Sequence, residues 1–289
     1  MRITKKFTAK DFPLTIGLSL QISWQLSKGS ASAMFIMPST EINNLNISYQ
    51  VAGEGDVILL LHGWGAEAAS FQPVFEWLAH SHKVYTLDLP GFGKSQMPPT
   101  AWDTSDYAQF VTAFLEKFRI PKAHLIGHSF GGRISIILSA EHPEKVDKLI
   151  LVDSAGIKPP RTTTYYLRVG MAKVGKLLRR CGKSGVRLAN AMAARAGSKD
   201  YQEAGGMRAT LVKVVNQDLR SLLPQISAST LLIWGENDKD TPVSFGKIME
   251  KEIPDAGLVV LKEAGHFSYL DQFPQFCRIV ASFLKIANA

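Results

Sequence analysis

Six short, largely apolar runs punctuate the chain, at residues 57–61, 84–87, 123–126, 149–152, 230–234 and 258–261. Each is too short for a helix, and the pattern suits strands buried on both faces of a parallel sheet. Between them the periodicity changes. Residues 133–140 run without a breaker as far as His142-Pro143, which predicts a helix directly after the third strand. Leu167, Met171, Val174 and Leu178 recur at helical spacing, with Lys173, Lys176 and Arg180 on the opposite side. Met207, Leu211, Val214, Val215, Leu219 and Leu222 predict a further helix that ends before Pro224. The fold class is therefore α/β, a mostly parallel sheet with helices on both faces.

Where the third run gives way to its helix, the sequence is Gly127-His128-Ser129-Phe130-Gly131-Gly132. A serine held between glycines on a sharp strand-to-helix turn is a nucleophile elbow, because only glycine lets the backbone close around so strained a residue. A serine hydroxyl is a weak nucleophile at neutral pH, so it needs a histidine base and a carboxylate to orient that base. The strand at 230–234 breaks at Gly235 into a loop carrying Asp238 and Asp240, and the strand at 258–261 leads through Gly265 to His266. Ser129, Asp238 and His266 each follow a predicted strand, where an open α/β sheet presents its ligands. Asp153, at the end of the fourth run, and Asp240 compete with Asp238 as the orienting acid.

These motifs carry a resemblance. Together with His62-Gly63-Trp64-Gly65 and Asp88-Leu89-Pro90-Gly91-Phe92-Gly93-Lys94-Ser95, the chain resembles the α/β-hydrolase superfamily, in its cap-bearing serine-hydrolase branch of esterases and carbon–carbon bond hydrolases. The resemblance implies an eight-stranded sheet with a helical cap insertion, and it favours Asp238, three residues after Gly235, over Asp153 and Asp240. It implies an oxyanion hole made by the backbone N–H groups of Trp64 and Phe130. It also gives His62 a structural part, holding its loop by hydrogen bonds, and Asp88 the task of tying down the glycine turn behind it. The Trp64 side chain is expected to form a pocket wall, and His128 to point away from the nucleophile's chemistry. A serine at the elbow argues against the dehalogenase and epoxide-hydrolase branches, which use an aspartate there.

Charge is uneven. Of the formal +8, residues 157–220 hold 14 Lys and Arg against three acids, the first 37 residues add +4, and the remainder is acidic. The expected organisation is a leader or disordered extension at 1–37, a core at 38–155 and 226–289, and the cap at 156–225. The leader has a basic start and a small-residue motif like a secretory signal, but its apolar stretch is interrupted by polar residues; translation from Met34 or Met37 is the blander expectation. The cap's cations can attract a carboxylate-bearing substrate or make weak contact with an anionic membrane surface, and Tyr165 and Tyr166 are candidates for the pocket entrance. The basic residues lack interleaved base-stacking aromatics, which argues against nucleic acid. Cys181 and Cys277 lie far apart and without ligand spacing, so neither a disulfide framework, a metal site nor a cofactor is expected, and a cytoplasmic location fits. Three functions remain open. A serine hydrolase of small to medium carboxylic esters leads, followed by a carbon–carbon bond hydrolase of anionic diketone acids and a ligand receptor with little turnover. Oligomeric state is left open.

Overall fold

The computed structural model describes residues 38–158 and 199–286, with four isolated positions between them at 178, 182, 186 and 187. The leader, Cys181, Tyr165, Tyr166 and nearly all of the amphipathic stretch 167–180 lie outside the described residues. Eight strands form one sheet: β1 (Ser39–Ile42), β2 (Leu45–Ala52), β3 (Val57–Leu61), β4 (Lys83–Leu87), β5 (Ala123–His128), β6 (Val146–Val152), β7 (Ser229–Gly235) and β8 (Ala256–Leu261). Their spatial order is β1-β2-β4-β3-β5-β6-β7-β8. β2 runs antiparallel to β1 and β4, and every pair from β4 onward is parallel. The chain adds β4 on one side of β3 and β5 on the other, so a crevice opens beyond the carboxyl ends of β3 and β5. Ligands bind α/β sheets at such a switch point.

The apolar runs are explained by two cores. Leu59, Leu61, Leu87, Leu125, Leu149, Leu151, Leu232 and Trp234 face one layer, beneath α2 (Thr104–Lys117), α3 (Phe130–Glu141) and α6 (Val243–Glu252). Their neighbours Ile58, Leu60, Val84, Ile126, Ile150, Val152, Leu231 and Ile233 face the other, beneath α1 (Gln72–Leu78), α7 (Ser268–Asp271) and α8 (Phe273–Leu284). Each such side chain contributes about 1.5–3 kcal/mol by leaving water, which keeps the strand ends fixed enough to carry a site.

Within the span assigned to the cap, the structure holds α4 (Lys199–Glu203), α5 (Arg208–Asn216) and a 3₁₀ segment at Arg220–Gln225. The single helix expected across 207–222 is corrected here. It stops at Asn216 because Gln217 turns extended, with ψ 125°. Gln217 is held there from several sides. Its side chain accepts from the N–H of Thr104, and its carbonyl accepts from the Arg133 guanidinium. Beyond it, the Leu219 N–H donates to Gly156 O, joining the chain that follows β6 to the chain that leads to β7. Val215, expected on the apolar face, is exposed. No helix among the described residues is long and apolar enough to cross a membrane.

Candidate active site

β5 ends at His128, and Ser129 follows with φ 49° and ψ −106°, an unfavourable conformation for a residue with a side chain. Its surroundings hold it there: the Ser129 N–H donates to Val152 O, and its carbonyl accepts from Gly132 and Ala155. The flanking glycines are required by contact. A Cβ on Gly131 would lie 1.9 Å from Leu61 O, and one on Gly127 would lie 2.6 Å from Gly131 O.

The strand ends bring the three residues together. His266 Nε2 lies 3.0 Å from Ser129 Oγ, and His266 Nδ1 lies 2.9 Å from Asp238 Oδ2. Both contacts have the length of a hydrogen bond. The loops that carry Asp238 and His266 are interlocked, with the Glu236 N–H on Leu261 O and the Asn237 N–H on Ala264 O. Burial opposes ionisation of Asp238, but hydrogen bonds from His266 and Thr241 outweigh it and hold its pKa below the ordinary carboxylate value. Burial likewise opposes protonation of His266, yet the hydrogen bond and charge of Asp238, with Asp153 and Asp240 behind, leave its pKa above that of an ordinary histidine. The arrangement is thus one that can take a proton from Ser129 and stabilise the imidazolium that would result.

The competing carboxylates are elsewhere. Asp153 Oδ1 accepts from the Gly235 N–H at 2.7 Å and its Oδ2 from the Ser268 N–H at 3.1 Å, beneath the site rather than on His266. Burial raises its pKa to about 7. Asp240 is exposed and gives only its N–H to Asp238 Oδ1. Thr241, not singled out in the sequence, has its Oγ1 2.7 Å from Asp238 Oδ2 and 2.8 Å from Asp153 O, so its one proton serves either acceptor. The signal for it was present, since a threonine three residues after the acid can close a turn on the carboxylate.

On the other side of Ser129, the loop after β3 holds Gly63-Trp64-Gly65. His62 fixes it: Nδ1–H donates to Gly63 O at 2.8 Å, and Nε2 accepts from the Leu89 N–H at 3.0 Å. Burial lowers the His62 pKa to about 4, so it stays neutral in this tautomer. Asp88 holds the adjacent turn through the N–H groups of Ala68 and Lys94, at 2.8 Å each. Phe130 is the first residue of α3, so its N–H has no intrahelical acceptor. Among the described residues no loop or turn hydrogen bond engages the N–H of Trp64 or Phe130. The Trp64 ring stands against Phe92 at 4.9 Å and Phe130 at 5.4 Å, and Tyr107 meets Phe130 at 5.0 Å, giving an aromatic wall beside the nucleophile. Among the described residues, only Asp238, Asp240 and His266 bring three metal-capable atoms within 4.8 Å of one another. A cation there would break the hydrogen bond that orients His266.

Comparisons with known proteins agree with this fold. A family model described as alpha/beta hydrolase fold matches residues 56–181, and one described as TAP-like protein matches 210–288. The chain is 27% identical over 280 residues to a 2-hydroxy-6-oxononadienedioate/2-hydroxy-6-oxononatrienedioate hydrolase of a Pseudomonas species, covering 90% of this chain and 98% of the relative. It is 28% identical over 256 residues to a pimeloyl-[acyl-carrier protein] methyl ester esterase of Chromobacterium violaceum, covering 83% and 99%. Among solved structures, a membrane phospholipase A is similar with TM-score 0.69 and 26% identity, covering 87% of both chains. The enol-lactonase of Burkholderia xenovorans shares the fold at TM-score 0.69 and 21% identity, over 86% of this chain and all of that one.

Proposed function

The chain belongs to the α/β-hydrolase superfamily, and from that premise we propose that it is a serine hydrolase of small to medium carboxylic esters. Ser129 Oγ attacks the ester carbonyl while His266 Nε2 takes its proton, and Asp238 holds the imidazole and balances its charge. The negative charge that develops on the carbonyl oxygen is held by the N–H groups of Trp64 and Phe130, a donor pair worth roughly 3–4 kcal/mol per member. His266 then protonates the departing alcohol. Water, deprotonated by the same imidazole, releases the acid from Ser129. The observation that carries this is the continuous chain from Ser129 Oγ through His266 to Asp238, with contacts of 3.0 and 2.9 Å. The aromatic wall of Trp64, Phe92 and Phe130 supports an apolar group on the substrate.

A second activity, carbon–carbon bond hydrolysis of an anionic diketone acid, is supported by the Pseudomonas relative and by the basic character of residues 157–220. The same residues would serve it. On either substrate the cap also makes weak contact with an anionic membrane surface. In support, Val212 and Val215 stand exposed on α5, which also carries Arg208 and Lys213. The test is to compare kcat/KM on 4-nitrophenyl esters of graded chain length with that on 2-hydroxy-6-oxo-6-phenylhexa-2,4-dienoate. An ester preference of tenfold or more, about 1.4 kcal/mol in transition-state binding, is expected, and the reverse preference would replace the ester activity with the carbon–carbon one.

A further inference from the structure

His128 lies beside Ser129 in sequence, and its buried ring packs against the same residue that Ser129 meets, His266. Its Nε2 is 2.7 Å from the main-chain carbonyl oxygen of His266. A carbonyl only accepts, so Nε2 carries the proton and Nδ1 is a bare acceptor with no partner among the described residues. Three rings from the far loop enclose the imidazole: His266 at 4.8 Å, Phe267 at 5.0 Å and Tyr269 at 5.2 Å between centroids. On the near side Gly63 leaves it room, since a Cβ there would lie 2.8 Å from His128 Nδ1.

Two adjacent residues therefore grip one histidine. Ser129 meets the His266 ring at Nε2 and His128 meets the His266 backbone at its carbonyl. Because residues 128 and 129 share a peptide bond, these two contacts close a small ring through the elbow itself. The Ser129–His266 separation is then set locally, rather than by the distant packing of β5 against β8 across two intervening strands. We propose that His128 is a positioning residue, which fixes the catalytic geometry by holding the His266 carbonyl with its Nε2–H. This rests on His266 being the base, as proposed above.

The chemistry suits a histidine that never charges. Burial drives the His128 pKa down to about 3, so it stays neutral while His266, beside it, gains and loses a proton in each cycle. Its unprotonated Nδ1 adds an electron pair, not a second positive charge, to the surroundings of the imidazolium.

The test compares His128→Leu, which keeps apolar bulk but has no donor, with His128→Gln, whose amide N–H reaches toward the same carbonyl. Turnover of 4-nitrophenyl acetate, melting temperature and the rate of Ser129 labelling by a fluorophosphonate are measured on the full chain. His128→Leu is expected to lose roughly ten- to a hundredfold in kcat and in labelling rate with KM changed by less than about twofold, and His128→Gln to recover most of that loss. Should His128→Leu fail to fold, His128→Met, which likewise has no donor, takes its place with the same expectation. A wild-type kcat in the donor-free variant would overturn the proposal. So would equal losses in both variants that follow their melting temperatures, since His128 would then be a packing residue. Undiminished turnover by Ser129→Ala would instead remove the serine-hydrolase activity itself, and the positioning role with it.

Discussion

The two ends of strand β5 carry similar residues and do different things. At its carboxyl end, Ser129 and His128 meet His266 and, through it, Asp238. At its amino end, His124 Nδ1 is 3.3 Å from Asp147 Oδ2, the His82 ring is 6.1 Å from that of His124, and Ser81 Oγ is 2.8 Å from His82 Nδ1. A cleft of about 260 Å³ opens there, between Asp56, Lys122, His124 and Asp147. A serine, two histidines and an aspartate are thus present at both ends. At the lower end burial lowers the pKa of both histidines, and Ser81 has no left-handed backbone to aim its hydroxyl. At the upper end the acid sits on the base, the base sits on the hydroxyl, and two N–H groups of the flanking loops are available. Residue types at one place do not make a catalyst; orientation by the strand-end loops does.

The comparison is broken most severely by removing the two serines in turn. Ser129→Ala should reduce ester kcat by at least about a thousandfold, whereas Ser81→Ala should leave it within about twofold; steady-state kinetics read both. The two aspartates should separate almost as far. Asp238→Asn leaves His266 wrongly oriented and is expected to lower kcat about a thousandfold or more, while Asp147→Asn changes activity little, its partner Lys122 being an exposed surface pair. Thr241→Val withdraws a donor from Asp238 without removing the acid, and roughly a tenfold fall in kcat with KM unchanged is expected.

Acid should act on both ends. Since the His266 pKa is raised, turnover should fall on its acid limb at a pH above 6.5, the ordinary histidine value. Stability has a different sign structure. His62 and His128 have folded pKa values of about 4 and about 3, so the stability they contribute is complete above pH 6.5 and lost as pH falls toward those values. Asp153, raised to about 7, works the other way, its contribution complete below its ordinary value and lost as pH rises toward 7. Between pH 6.5 and 5 the depressed histidines, His82 and His124 among them, outnumber the one raised aspartate, so stability falls with acid and the melting temperature at pH 5 should lie below that at pH 6.5. A melting temperature rising with acid would contradict that assignment.

The legibility of the chain follows the same division. Strands β3 to β8 were visible because strands of a parallel sheet, mostly buried, are mostly apolar, as Ile58 to Leu61 and Leu149 to Val152 are throughout. The β1–β2 hairpin was less visible. Its alternation is irregular, and its turn depends on Asn43 and Asn44 both taking left-handed φ, at 51° and 61°. Ser129, Asp238 and His266 could be chosen because each sits where a strand breaks at glycine. His128 could not be assigned a task, because what it does depends on which loop lies opposite. The long helix expected over 207–222 failed for the same reason: local periodicity favours it, and the contacts Gln217 makes with Thr104 and Arg133 from distant segments end it.

The central claim, that Ser129 becomes acylated during turnover, is tested most directly by acid-quenching the protein in the first turnovers of a 4-nitrophenyl ester and weighing it. The account predicts a burst of nitrophenol matched by one acyl group on the peptide containing Ser129, both absent in Ser129→Ala. Steady turnover with no acyl group on Ser129, or a burst that survives Ser129→Ala, would contradict it.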